Sequence, residues 1–161
     1  MRFLAIFSLL FTLIACSDGR IVGPDDAPPP QDEGIQSGPV SGQFFNGDWT
    51  FNQGIARIRT VGGAKMYLID LWEETFSDPC DPFVNPARTL LFILPSAVGS
   101  YTLNNNRTVT FSGNSTNLVA TQGIYKLTSF NEEEQSIIGG IQVKYDNQNS
   151  VNGSFKVALC P

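Results

Sequence analysis

Near the C-terminus the chain runs Ile137-Ile138-Gly139-Gly140-Ile141-Gln142-Val143-Lys144-Tyr145, then Asp146-Asn147-Gln148-Asn149, then Val151-Asn152-Gly153-Ser154-Phe155-Lys156-Val157-Ala158-Leu159. Successive side chains of a strand point to opposite faces, so the alternation has a direct reading. Val151, Gly153, Phe155, Val157 and Leu159 share one face, and Asn152, Ser154 and Lys156 share the other. In the partner Ile137, Ile141, Val143 and Tyr145 alternate with Gln142 and Lys144. The four polar residues between the runs form a short hairpin loop. Glycine adds no packing to a regular strand, so Gly139-Gly140 marks a bulge or a sharp coil.

Working back from this hairpin, short runs rich in β-branched and aromatic residues recur between Gly, Asn, Asp and Pro. They fall near Gln43 to Phe51, Ile55 to Val61, Lys65 to Leu71, Thr89 to Leu94, Gly99 to Leu103, Thr108 to Ser112, Leu118 to Thr121 and Gly123 to Phe130. This spacing predicts an all-β domain over 42–161, an antiparallel β-sandwich or flattened barrel of about nine strands. Between Trp72 and Arg88 three prolines forbid a central strand, which leaves a long loop and the first choice for ligand contact.

Composition excludes several chemistries. The 161 residues include no His, which removes Ser-His and Cys-His nucleophile pairs, an imidazole base and His-ligated metals. Charged residues are 16% of the chain, below the roughly 25% usual in soluble proteins. The net charge of -5 comes without a basic cluster, so nucleic acid is not an expected partner.

The N-terminus carries an address. Met1-Arg2 precedes an apolar run from Phe3 to Ile14, which at about 12 residues and 1.5 Å each spans only ~18 Å of a ~30 Å hydrocarbon layer. It reads as a signal peptide over 1–15, not as a membrane span. The run ends in Leu13-Ile14-Ala15-Cys16, which resembles the lipobox of bacterial lipoproteins. That resemblance implies cleavage before Cys16, acylation of its thiol and new amine (palmitate among the chains), and a permanent membrane anchor. Ser17 stands where many such proteins carry an inner-membrane retention Asp, so the outer membrane is expected, with the side left open. Residues 16–41, rich in Pro, Gly and acids and containing Pro28-Pro29-Pro30, read as a disordered linker that holds the domain away from the lipid.

With Cys16 acylated, Cys80 and Cys160 remain, and an exported domain with two thiols is expected to pair them. The carboxylates Glu73, Glu74, Asp78 and Asp81 lie within nine positions of the proline-broken loop. That density of oxygens could hold Ca²⁺, the one candidate cofactor, or supply a glycosidase-like acid pair, although the spacing fits no EF-hand. Glu132-Glu133-Glu134 reads as a solvated turn. Trp72, Phe76 and Phe83 could form a platform for a sugar or peptide, whereas Trp49 fits the core.

Gly99-Ser100-Tyr101-Thr102-Leu103, Gly123-Ile124-Tyr125-Lys126-Leu127-Thr128, Ile138-Gly139-Gly140-Ile141 and Val151-Asn152-Gly153-Ser154-Phe155 resemble, in that order, the strand motifs of uncharacterised β-sandwich lipoproteins of Bacteroidota. Ile141 stands where that group more often has Phe, and the Cys80/Cys160 pair is not typical of it. The resemblance implies a β-sandwich at the cell envelope and assigns no activity. The expectation is a non-enzymatic binding or structural module, with no catalytic residue singled out, meeting a glycan, a peptide or an envelope protein. The alternative is a hydrolase acting on glycans through the carboxylates of the 73–81 loop.

Overall fold

A computed structural model describes residues 34–131 and 133–161. The expected signal peptide over 1–15, the expected lipidation site Cys16 and the expected linker as far as residue 33 lie outside the described residues. Among the described residues there is no helix, and eleven strands form one sheet. They are β1 (Ser41–Phe44), β2 (Gly47–Thr50), β3 (Gln53–Val61), β4 (Ala64–Trp72), β5 (Arg88–Pro95), β6 (Gly99–Thr102), β7 (Val109–Gly113), β8 (Thr116–Ala120), β9 (Gln122–Asn131), β10 (Ser136–Lys144) and β11 (Ser150–Cys160). The all-β architecture is as the sequence predicts.

The strand order is β6-β9-β10-β11-β3-β4-β5-β7-β8, with the β1–β2 hairpin added to the start of β11. Every strand pairing is antiparallel except β11 with β3, where Ala158 to Cys160 run parallel to Ile55 to Arg57. The hydrogen-bonded path ends at β6 and β8, so the sheet is not closed into a barrel. It folds over itself, and aromatic rings join the two halves: Phe92 of β5 lies 5.7 Å from both Tyr125 of β9 and Phe155 of β11, and Phe44 of β1 lies 5.0 Å from Phe111 of β7. Each fully buried large side chain contributes about 1.5–3 kcal/mol, so this aromatic seam is a main source of stability.

The final hairpin pairs as its alternation dictates, with Ile141 opposite Gly153 and Val143 opposite Val151. The register of β10 against β9 shifts between Ile138 and Gly139, the bulge that the paired glycines mark. A Cβ on Gly139 would strike the Phe155 ring and the Lys126 carbonyl. A Cβ on Gly140 would lie 2.8 Å from Cγ2 of Ile35 on the opposite face.

Two expectations need correction. The run Gln43 to Phe51 is not one strand but the β1–β2 hairpin, turning on Phe45 (φ 49°) and Asn46 (φ 65°). A turn with both central residues at positive φ matches sheet twist. Phe45 is held there because its N–H donates to the Asn149 side-chain oxygen at 2.8 Å. The linker was also expected to run to residue 41, but the chain from Gly34 onward is docked on β10 and β11. The Asn152 side chain donates to the Gly34 carbonyl and accepts from the Gln36 amide, and the Val40 and Ser154 backbones are bonded at 3.1 Å. Val40 is fully buried, and burying that valine with these backbone bonds offsets the ordering cost of the segment.

Candidate functional site

The outer face of β3, β4 and β5 begins with residues that a half-solvated sheet would leave wet. In register, Ile55 faces Asp70, Asp70 faces Leu91, Trp72 faces Thr89, and Thr89 faces Ser112. The loop of residues 73–87 folds over this face and turns it into a second small core. Ile55, Trp72 and Cys160 are buried there, with Phe76, Cys80 and Val84 packed on them.

Four ties hold the loop down. Cys80 is bonded to Cys160, with Cα atoms 5.5 Å apart, the pairing expected from the sequence. The Gln53 side chain clasps the backbone of Phe76, accepting from its N–H at 2.6 Å and donating to its carbonyl at 3.0 Å. Arg88 grips both oxygens of Glu73 at 2.7–2.8 Å while donating to the carbonyls of Phe44 and Asp48, which locks the loop to the β1–β2 hairpin. Glu74 accepts from the Ala87 amide at 2.8 Å, closing the base of the loop.

Under the far part of the loop lies a cleft of about 270 Å³. Its apolar walls come from Trp72, Val84, Pro86 and Leu91, and its uncharged polar groups from Asn85, Thr89 and Ser112. Arg57 and Asp70 supply the charge. Asp70 is 9% exposed. Its Oδ2 accepts from Arg57 Nη1 at 2.9 Å, a diagonal pair across β3 and β4, whereas its Oδ1 is buried with no hydrogen-bond partner among the described residues. Burial raises the Asp70 pKa above the usual aspartate value, outweighing the lowering effects of Arg57 and Arg59.

The predicted site residues fare differently. Among the described residues Glu73, Glu74, Asp78 and Asp81 are not gathered into a metal-ligating group, which corrects the Ca²⁺ site expected from them, and each is engaged by its neighbours. Glu73 is spent on Arg88, and Glu74 gives one oxygen to the Ala87 amide while its Oε2 is buried without a partner among the described residues. Asp78 and Asp81 each turn back on the chain, accepting from the amides of Cys80 (3.0 Å) and Phe83 (2.9 Å). Such Asx turns are what proline-broken backbone recruits, because its amides have no strand to pair with. Among the described residues no three acidic or thiol groups are placed to hold a metal. The aromatic platform also dissolves: Trp72 is buried with Phe76 edge-on at 6.0 Å, while Phe83 projects alone at 89% exposure. Trp49 is in the core, as expected.

Sequence reading missed Asp70. The available signal was one acid inside the otherwise apolar run Met66-Tyr67-Leu68-Ile69-Asp70-Leu71-Trp72, together with Arg57 on the preceding strand, two residues on from the Ile55 that faces Asp70. Compared with models of known protein families, with curated proteins and with solved structures, the chain matches none.

Proposed function

We propose that the chain is an outer-membrane lipoprotein, anchored through acylated Cys16, whose β domain is a non-enzymatic binding module for a neutral, hydroxyl-rich ligand of the glycan class. The observation that carries this reading is the Asp70 Oδ1 atom, a carboxylate oxygen buried without a donor. An unsatisfied buried acceptor costs about 1–3 kcal/mol, more when charged, so a ligand hydroxyl donating to it recovers that energy on binding. Arg57 beside it can donate to the neighbouring hydroxyl oxygen. The two Arg residues that act on Asp70, Arg57 and Arg59, disfavour an ammonium ligand. A neutral donor is also what Asn85, Thr89 and Ser112 would meet with matched hydrogen bonds, and Val84, Pro86 and Leu91 suit the C–H faces of a sugar ring.

Because Oδ1 is buried and Val84, Asn85 and Pro86 line the same cleft, we expect ligand entry to lift the stretch 84–86 while the disulfide keeps Cys80 in place. The test is titration of the folded domain with a panel of oligosaccharides by calorimetry. A carboxylate acceptor lost to an amide should weaken binding by about tenfold or more, so Asp70→Asn and Arg57→Gln are both expected to do so. A glycan that binds the wild type and both variants alike would remove the cleft from the reading. Anchoring is tested separately: labelled palmitate should be incorporated by the wild type and not by Cys16→Ser.

A further inference from the structure

A second cleft, of about 320 Å³, opens where the sheet comes apart beyond the pairing of Phe92 with Val109. On its β4 side β5 is paired as far as Pro95, but on its β7 side the pairing stops at Phe92. Ile93, Leu94 and Pro95 therefore have no strand partner on that flank, and the chain of residues 103–108 stands off instead. That connection is a tight turn built on Asn104, whose side-chain oxygen accepts from the amides of Asn106 (2.8 Å) and Arg107 (3.0 Å), and whose backbone exchanges two bonds with Arg107. The turn delivers the Arg107 guanidinium to the rim, 5.7 Å over the Tyr101 ring.

The floor and sides are Met66, Leu68, Leu91, Ile93 and Pro95, an apolar strip on the outer face of β4 and β5, and Tyr125 closes the back. Ile93 is 43% exposed, so this strip meets water rather than another part of the described chain. Burial pushes the Tyr125 phenol up to about 12, which keeps it a neutral O–H at physiological pH. Among the described residues the lining holds a single charge, Arg107, and it is positive, although the chain as a whole carries -5. An apolar trough with one fixed guanidinium at its mouth is complementary to a ligand with an apolar tail and one anionic head.

We infer that this cleft binds a single acyl chain bearing one anionic head group, with the tail on Leu68, Leu91 and Ile93 and the head on Arg107. The inference does not rest on the glycan reading, although Leu91 lines both clefts; the charge complementarity argues for it. The same chemistry is offered by a free fatty acid and by an anionic lipid in a bilayer.

The experiment is calorimetric or tyrosine-fluorescence titration of the folded domain lacking the lipid anchor with decanoate, and with decanol as the uncharged control. Saturable binding of decanoate, at least tenfold tighter than decanol and weakened at least tenfold in Arg107→Gln, is expected. Ile93→Asp, which sets a negative charge on the floor, should abolish it while the circular dichroism stays unchanged. Pelleting with vesicles of phosphatidylglycerol but not phosphatidylcholine, lost in the same variants, would assign the head group to a bilayer lipid; retention in solution with decanoate bound would assign it to a free acid. Equal affinity for decanoate and decanol, unchanged binding in Arg107→Gln, or no binding of either decanoate or anionic vesicles overturns the inference.

Discussion

Cutting the Cys80–Cys160 bond should cost this domain a large share of its stability. The bond joins residues 80 positions apart. With the loop-closure expression of the chain-entropy model, a ring of that length removes about 15 cal/mol/K from the unfolded chain, or about 4.5 kcal/mol at 25 °C. Domains of this size have about 5–15 kcal/mol in all, so the reduced protein is expected to sit near the edge of folding. The double variant Cys80→Ala/Cys160→Ala reads this without reductant. At a urea slope of about 1.5 kcal/mol/M the midpoint should fall by about 3 M, and the slope itself should rise as the freed unfolded chain exposes more surface. Two tryptophans separate global from local effects: Trp72 lies under the loop and Trp49 in the main core. If the Trp72 signal changes in native buffer while Trp49 does not, the loop lifts before the sheet melts. A midpoint shift under about 0.5 M, with both tryptophans unchanged, would refute the reasoning and show that Gln53, Arg88 and Glu74 hold the loop without the bond.

Gly54→Ala should destabilise by about 3 kcal/mol, since the new Cβ would strike the Asp70 carbonyl and press on Val157 Cγ1 at 3.0 Å, both in the close-packed sheet; a thermal melt measures it. Arg88→Ala strips the donors from Glu73 and from two carbonyls in a partly buried position, and a loss of about 2 kcal/mol in urea unfolding is expected. For pH, the Asp70 carboxyl is raised in the folded state, so the folded chain binds the proton more tightly than the unfolded one. Its stabilising contribution is full below the unfolded value of about 3.9 and is lost as pH rises through the folded value. The stability difference between wild type and Asp70→Asn, measured by urea titration from pH 3 to 8, should therefore move against the wild type with rising pH; a flat difference would contradict it. Glu134 behaves oppositely, because hydrogen bonding to Lys156, the attraction of that ammonium and a bond from Ser136 lower its pKa. Its small contribution should fade as acid titrates it, and Lys156→Gln should erase that effect.

Much of the fold was legible because the period-2 pattern is strongest where one face is buried. The β10–β11 register, the Gly139 bulge and the segments from Ile55 to Phe130 all follow from alternation and turn residues. Legibility failed where long-range contacts decide local conformation. Phe45 has no intrinsic preference for positive φ, and the contact that holds it comes from Asn149, 104 residues away. Residues 34–40 look like spacer because they lack alternation. Yet Gly140 leaves a bare place on the outer sheet that Ile35 fills, and that fit cannot be seen until β10 is in register.

The misplaced site has a physical reason that reaches beyond one residue. Acids clustered in the irregular loop read as the best ligands, yet irregular backbone is where amides lack partners, and these take up Asp78, Asp81 and one oxygen of Glu74. On a regular strand the amides are already paired across the ladder, so a carboxylate there cannot be satisfied locally. Among the described residues Asp70 hydrogen-bonds only Arg57, diagonally across the strands, and its other oxygen is buried without a partner. Among the described residues, unspent carboxylate capacity is left in two places, at Asp70 Oδ1 on the ordered strand beneath the loop and at Glu74 Oε2 at the loop's base. If the sheet rather than the loop carries recognition, Asp78→Ala and Asp81→Ala should loosen the loop while leaving ligand contacts at Asp70 intact. Their affinities for a bound glycan should then change in proportion to loop stability, whereas Asp70→Asn should lower affinity with the loop undisturbed. Affinity lost in Asp81→Ala at unchanged loop protection from hydrogen exchange would return recognition to the loop.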